Sequence, residues 1–315
     1  MKNKSLESLF GIQKKFNQMI YGSGELEISH KEEITKSLCL ALHAEVSDLI
    51  SSLNYKEHYN CEKRVEKEKI LYEAVDVVRY AVAVLNLWGY QADDFWSAYL
   101  DKDNYLMSQR RQEEVKWEGQ PVLVVDLDDV LIHFRSGFID WLNDKFGIYA
   151  DKQSSEYYTA KEVIKAGLNP EEVFNQFILE RKINQLEPDI EMINTINHLK
   201  TQGYWIHLLT ARPKSDLLCF YDTYTWIETH GLKYDRLDFS GEKYRWCAKS
   251  EYFDHKAIVC AIDDSPKHAA EYAKHGISVC VPITSYNVEV HNMENVHTFN
   301  TPDELLEKIK NLREV

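Results

Sequence analysis

The residues Glu118-Gly119-Gln120-Pro121 divide the chain into two stretches that obey different periodicities. Upstream, over residues 1–116, apolar side chains recur at three-and-four spacing and no proline interrupts them. That stretch reads as helix, with breaks at GSG (22–24) and WGY (88–90). The polar, charged segment 54–69 suits a loop running into a helix start. Downstream, short apolar runs bounded by turn residues take over: "VLVVDLDDVL" (122–131), "WIHLLTAR" (205–212), "AIVCAIDDS" (257–265) and "GISVCVPIT" (276–284). Such runs are buried parallel strands, and the helical stretches between them predict a doubly wound parallel sheet. At 315 residues the chain is long enough for two cores. It is therefore expected to be multidomain, an all-α helical bundle over 1–117 followed by an α/β, Rossmann-like domain over 118–315.

The helical half places acids where apolar residues belong. Leu38, Leu42, Leu49 and Leu53 form one stripe, with Lys36, Ser47, Ser51 and Asn54 opposite. Glu45 and Asp48 flank the leucine stripe, and their i, i+3 spacing projects both side chains together. In "LYEAVDVVRYAVAVLNLW" (71–88) apolar residues occupy nearly the whole circumference, which predicts a central, buried helix. Glu73 and Asp76 sit in it at the same spacing. One such pair is ordinarily a solvated edge, or an internal salt bridge to Arg79 or Lys69. Two pairs against apolar stripes would make a cage of four carboxylates, which repel one another unless a hard cation such as Mg²⁺ binds them. These acids are expected to hold one or more Mg²⁺ ions against a phosphate chain.

The α/β half carries its own constellation. Asp126 and Asp128 end the first apolar run and point the same way, while Leu127 turns into the sheet. Thr210 ends the second run, and Asp263 and Asp264 end the third. Open α/β sheets bind ligands beyond the carboxyl ends of their strands. Acid–acid, hydroxyl and acid–acid converging there make a site for phosphate plus Mg²⁺. The formal charge of −14 argues against a general nucleic-acid binder, so anionic substrates need metal ions or local basic residues. No apolar run is long enough to span a membrane, and the start MKNKSLESLFG lacks a signal-peptide core. Six scattered cysteines without metal-like spacing fit reduced thiols in a cytoplasmic setting.

Glu45-x-x-Asp48 followed by Glu73-x-x-Asp76 resembles the all-α nucleoside triphosphate pyrophosphohydrolases, the MazG-like and dimeric dUTPase superfamily. The likeness covers about residues 5–112, including "LNLWGYQADDFWSAYLDKDNY" and the basic "QRRQ". It implies that Glu45, Asp48, Glu73 and Asp76 ligate Mg²⁺, and that the chain cuts between the α- and β-phosphates to give a monophosphate and pyrophosphate. It further implies Lys102, Arg110 and Arg111 as polyphosphate contacts, Gln13 and Asn17 as base contacts, and self-association as a dimer or tetramer. Ala44 stands where many members carry a further acid, and Asp48 where many have Glu.

The second half resembles the haloacid dehalogenase-like phosphatases over residues 121–285. Their motif DxDx[TV][LV] stands as Asp126-Leu-Asp-Asp-Val-Leu131, with Asp129 in place of the frequent glycine. The resemblance implies Asp126 as the nucleophile that forms an aspartyl-phosphate and Asp128 as the acid–base. It implies Thr210 as the phosphate-holding hydroxyl, and Asp263 and Asp264, with Asp126 and Asp128, as the Mg²⁺ site. A lysine must neutralise the phosphoryl oxygens, and Lys243 has better spacing than Lys249. "TAR" (210–212) and "WIETHGLKYDRLDFS" (226–240) are closest to the nucleotidase and polynucleotide-phosphatase branch, leaving Arg212 either for a substrate phosphate or for an acid in the fold. Residues of about 135–190 would form a helical cap, whose aromatics (Phe138, Trp141, Phe146, Tyr157, Tyr158, Phe174, Phe177) are expected mostly in its own core. Together the halves predict a bifunctional nucleotide hydrolase that first makes a (deoxy)nucleoside monophosphate and then dephosphorylates it. The rival readings are an independent pyrophosphatase joined to a phosphatase for nucleic-acid 3′ ends, and a helical half that serves only for oligomerisation.

Overall fold

A computed structural model of the chain describes residues 4–53, 67–154 and 160–314. Most of the expected loop at 54–69 and the cap residues Tyr157 and Tyr158 lie outside the described residues. The chain forms two compact units, Met1–Leu100 and Asp101–Val315. The first holds α1 (Lys4–Tyr21), α2 (Ile28–Ser51), α3 (Lys67–Leu87) and the beginning of α4 (Ala92–Glu114).

Within the helical unit, α3 packs against both α1 and α2. Its core is small: Phe10, Val82 and Ala92 are buried, with Leu6, Leu9, Leu85 and Phe95 against them. The expected burial of α3 all round is not met, since only Val82 and Ala83 are buried along it, and Leu71, Tyr72, Val75 and Val78 are exposed. Three helices and the start of a fourth cannot surround a helix that is apolar on every side.

The second unit is built on a six-stranded, all-parallel sheet of order β3-β2-β1-β4-β5-β6. The strands are β1 (Val122–Val125), β2 (Trp205–Thr210), β3 (Arg236–Phe239), β4 (Ile258–Ile262), β5 (Val279–Pro282) and β6 (Val296–Phe299). β1 and β2 are buried at every position, as continuous Val/Ile/Leu runs require when both faces are covered. The helices of this unit are α5 (Phe134–Phe146), α6 (Ala160–Lys165), α7 (Pro170–Leu179), α8 (Ile190–Thr201), α9 (Leu217–Thr229), α10 (Lys243–Ala248), α11 (Pro266–Lys274) and α12 (Pro302–Arg313). The order reverses at β1, whose neighbours are β2 and β4, so the crevice beyond their carboxyl ends is the topological switch point.

The segment holding α5, α6 and α7 leaves the sheet after β1 and returns before α8. Its neck is closed by an antiparallel bridge between Ile132 and Pro188, with His133 N donating to Glu187 O and Asp189 N to Leu131 O. Phe138, Trp141 and Phe177 pack ring on ring inside it at centroid distances of 5.1 to 5.8 Å. The domain boundary expected at residues 117–120 marks the end of α4, whereas the compact units divide within that helix. The later part of α4 packs on α9 and β3: Asn104 donates to Thr225, Gln109 to the Tyr224 hydroxyl, and Gln112 Oε1 accepts from Leu237 N.

Candidate active site

The backbone itself brings the acids of the α/β unit together. Asp126 N donates to Ile262 O at 2.9 Å, which extends the β1–β4 pairing one residue and sets Asp126 beside Asp263. Leu127 is fully buried between Asp126 and Asp128, as the alternation of an extended chain demands. Asp129 then takes a left-handed backbone with φ 52°, which is why glycine suits that position. Its carboxylate accepts from Arg135 N at 3.0 Å and so caps the first turn of α5.

Asp126, Asp263 and Asp264 each offer a carboxylate oxygen, and these atoms lie within 4.8 Å of one another. Lys243, 1% exposed on α10, places Nζ 2.8 Å from Asp126 Oδ1 and 2.7 Å from Asp263 Oδ2. Lys249 ends the same helix on its exposed side. Burial works against the Lys243 charge, but the two carboxylates outweigh it and hold the ammonium above its ordinary value. Burial, opposed by Lys243 and reinforced by Asp263 and Asp128, pushes Asp126 up to about 7. Burial with the neighbouring Asp126, Asp263 and Asp129 charges raises Asp264 well above the usual carboxylate range.

This donor set fits a hard divalent cation. Asp264 Oδ1 is buried without a hydrogen-bond partner among the described residues. Counted as ionised, Asp126, Asp128, Asp263 and Asp264 exceed Lys243 and Arg212 by two negative charges, an excess that a divalent cation would offset and that, without one, contributes to raising Asp126 and Asp264. Asp128 stands apart from the other three: Arg212 Nη2 and Nε hold its two oxygens at 2.6 and 3.1 Å. Arg212 Nη1 donates to Thr223 Oγ1 at 3.0 Å, so the guanidinium meets an acid and a hydroxyl of the fold. Thr210 is fully buried at the end of β2, and its Oγ1 accepts from Arg212 N at 3.3 Å.

Sequence reasoning missed Tyr286 and Asn287, in the turn after β5. Tyr286 donates its hydroxyl to Asp264 Oδ2 at 2.8 Å, and Asn287 Nδ2 donates to Asp264 O at 3.0 Å. A buried Asn in a turn beside a strand end is the only local signal, and it names no partner.

In the helical unit, Glu45, Asp48 and Glu73 converge within the same 4.8 Å limit. Partial burial and the Asp76, Asp48 and Glu73 charges raise Glu45, with Arg79 opposing. Asp76 turns aside to Arg79 Nη1 at 3.2 Å. Gln13 and Asn17 are buried: Gln13 Nε2 donates to Asn17 Oδ1, and Asn17 Nδ2 to Ala83 O at 2.9 Å, tying α1 to α3. Asn17 also lines a cavity with Lys14, Tyr21, Lys31 and Asn86. Lys102 donates to the Tyr221 hydroxyl, Arg111 pairs with Glu228, and Arg110 pairs with Glu113 and Glu114 of its own helix. These three basic residues belong to the α/β unit and are engaged there.

The model of the dUTPase family matches residues 5–186, and that of the family described as 5′ nucleotidase, deoxy (pyrimidine), cytosolic type C matches residues 120–312. The chain belongs to both families. Residues 120–186, which both matches include, lie within the α/β unit. The chain is thus a hydrolase that joins a dUTPase-family region to a 5′ nucleotidase-family region. No curated protein sequence matches it significantly. Solved structures similar to part of the chain include a predicted phosphoglycolate phosphatase from Haemophilus somnus, 16% identical, covering 60% of this chain and 98% of that one at a TM-score of 0.42. A hydrolase from Streptococcus pneumoniae is 14% identical, covering 61% and 100% at a TM-score of 0.31. No helix among the described residues is long and apolar enough to cross a membrane.

Proposed function

We propose that the chain degrades a deoxypyrimidine triphosphate in two hydrolytic steps, with dUTP as the first substrate to test. The helical unit adds water across the bond between the α- and β-phosphates, releasing pyrophosphate and dUMP. The α/β unit then removes phosphate from dUMP to leave deoxyuridine. The observation that carries the reading is the convergence of Asp126, Asp263 and Asp264 around Lys243 at the switch point of the sheet. The two family descriptions supply the substrate class, since the product of a dUTPase is a deoxypyrimidine monophosphate.

In the second step an Asp126 oxygen attacks phosphorus, the bond to the 5′ oxygen breaks, and Asp128 gives that oxygen a proton. Asp128 then takes a proton from water as the water attacks the aspartyl-phosphate, which releases phosphate and restores Asp126. Arg212 holds both oxygens of Asp128, and protonation of the leaving oxygen requires that pair to open. Lys243 neutralises oxygens of the transferred group, and Thr210 fixes one of them. Mg²⁺, held by Asp126, Asp263 and Asp264, would supply charge stabilisation on the phosphoryl oxygens.

For the helical unit the reading takes Glu45, Asp48 and Glu73 as Mg²⁺ ligands. Asp76 stays available as a fourth, because an exposed pair such as Asp76–Arg79 is worth no more than about 1 kcal/mol. The exposed apolar faces of α1 and α3, including Ile12, Met19, Leu71 and Tyr72, support self-association. A cytoplasmic setting, where scattered thiols stay reduced, belongs to the same reading. The test is a panel of (d)NTPs and (d)NMPs with Mg²⁺, products resolved by chromatography. Glu73→Ala should abolish pyrophosphate release and spare phosphate release from dUMP, and Asp126→Asn should do the reverse. Unchanged hydrolysis in both variants would sink the proposal.

A further inference from the structure

The turn Thr284-Ser285-Tyr286-Asn287 grips one acid of the cluster twice, at its side chain and at its main chain. Tyr286, 8% exposed, donates to Asp264 Oδ2 at 2.8 Å. Asn287, fully buried, donates through Nδ2 to both Asp264 O and Pro282 O, at 3.0 and 2.9 Å. Its Oδ1 accepts from Thr284 N at 3.1 Å, which closes the turn on itself, and lies 2.7 Å from His291 Nε2. The Tyr286 ring is held in turn by α5, where the Arg135 guanidinium lies 5.0 Å from the ring centroid and donates to Ser154 O. Ser285 Oγ donates to that same carbonyl at 3.0 Å.

A carboxylate free to rotate about its last bond offers a cation two interchangeable oxygens in many directions. One whose Oδ2 is fixed by a hydroxyl, and whose backbone is fixed by an amide, offers only Oδ1 in one direction. Asp264 Oδ1 is buried and has no hydrogen-bond partner among the described residues. We propose that the 284–287 turn is the positioning element of the cation site, with Tyr286 orienting the Asp264 carboxylate and Asn287 its backbone. The inference rests on the reading of Asp264 as a cation ligand. Tyr286 is a positioning residue that acts through Asp264, and outer partners of metal ligands commonly set affinity.

The test uses the full chain with Glu73→Ala in every arm, so that the helical acid cluster does not contribute, and Mn²⁺ as the probe, its free concentration read by electron paramagnetic resonance. Tyr286→Phe keeps the ring and its packing on Arg135 and removes the hydroxyl that reaches Asp264. It should raise the half-saturating Mn²⁺ concentration about tenfold. Asn287→Ser should move it in the same direction by less, and it serves if Tyr286→Phe does not fold. Melting temperatures without metal separate loss of fold from loss of affinity. If neither variant moves half-saturation while Asp264→Asn does, the positioning role is overturned and the ligand reading stands. If Asp264→Asn binds Mn²⁺ as the Glu73→Ala parent does, the ligand reading fails and the positioning role with it.

Discussion

At the scale of single residues, Arg212 shows why spacing names a group but not its partner. A basic residue two positions after a strand-end hydroxyl is placed equally well for a phosphate or for an acid. In the fold both oxygens of Asp128 meet the guanidinium fork, and Thr223 anchors its third nitrogen. Burial opposes the Arg212 charge, and Asp128 outweighs it, keeping the guanidinium above its ordinary range. Lysine retains the charge but not the fork. Arg212→Lys should therefore slow phosphate release from dUMP by roughly 10- to 100-fold through misplaced acid–base chemistry. Steady-state rates equal to the parent's would show that Asp128 works without the clamp. Asp129 makes the complementary case. Its motif position was legible, but its left-handed backbone and its bond to Arg135 N were not, because both depend on where α5 begins.

At the scale of elements, the four strands read from sequence are central ones, and the two missed, β3 and β6, are the sheet's edges. "RLDF" and "VHTF" are short and largely half-buried, so neither shows the continuous apolar run that a strand covered on both faces requires. The helix α4 was legible as a helix to its last turn, but its division between two compact units was not. Asp101, at the start of its second part, is 5% exposed and bonds Arg181 at 2.7 Å. Arg181 Nε also holds the fully buried Asp222 of α9 at 2.6 Å. Burial, opposed by Arg181, raises Asp222. Arg181→Met would leave two buried carboxylates facing each other and should destabilise the α/β unit by about 3 kcal/mol in urea denaturation. Adding Asp222→Asn should recover part of that loss; no recovery would mean that packing, rather than charge, carries the effect.

At the scale of the whole molecule, stability should fall in acid through histidines buried in neutral form. His207, fully buried on β2 against Trp246 and Phe253, is pushed down to about 3, by burial first and Arg236 second. His268 is pushed down to about 4, by burial and then by Lys243. A folded-state value below the unfolded one means that the unfolded chain binds the proton first. The contribution is therefore fully present above an unfolded pKa of about 6.5 and is lost as pH falls toward the folded value. Between pH 6 and 4.5 the parent should lose about 2 kcal/mol more stability than His207→Phe, measured by urea denaturation at each pH. The raised carboxylates Asp126 and Asp129 act in the opposite sense, but they are common to both proteins and cancel in the difference. A parent and a variant with parallel pH profiles would mean that His207 titrates alike folded and unfolded.

The sequence by itself determined what local chemistry can encode. Helical periodicity before residue 117 and apolar runs after it separate the two halves, and strand-end positions single out Asp126, Asp128, Thr210, Asp263 and Asp264. The i, i+3 acids of α2 and α3 were equally legible, because helix geometry couples only near neighbours. The tertiary structure alone decided what depends on residues far apart in the chain. It brings Lys243 rather than Lys249 to Asp126 and Asp263, Arg212 to Asp128, and Tyr286 to Asp264. It also buries Gln13 and Asn17 between helices and draws Asp76 to Arg79. A strand end says where an acid will be, but only closure of the sheet and packing of its helices say which cation or hydroxyl meets it there.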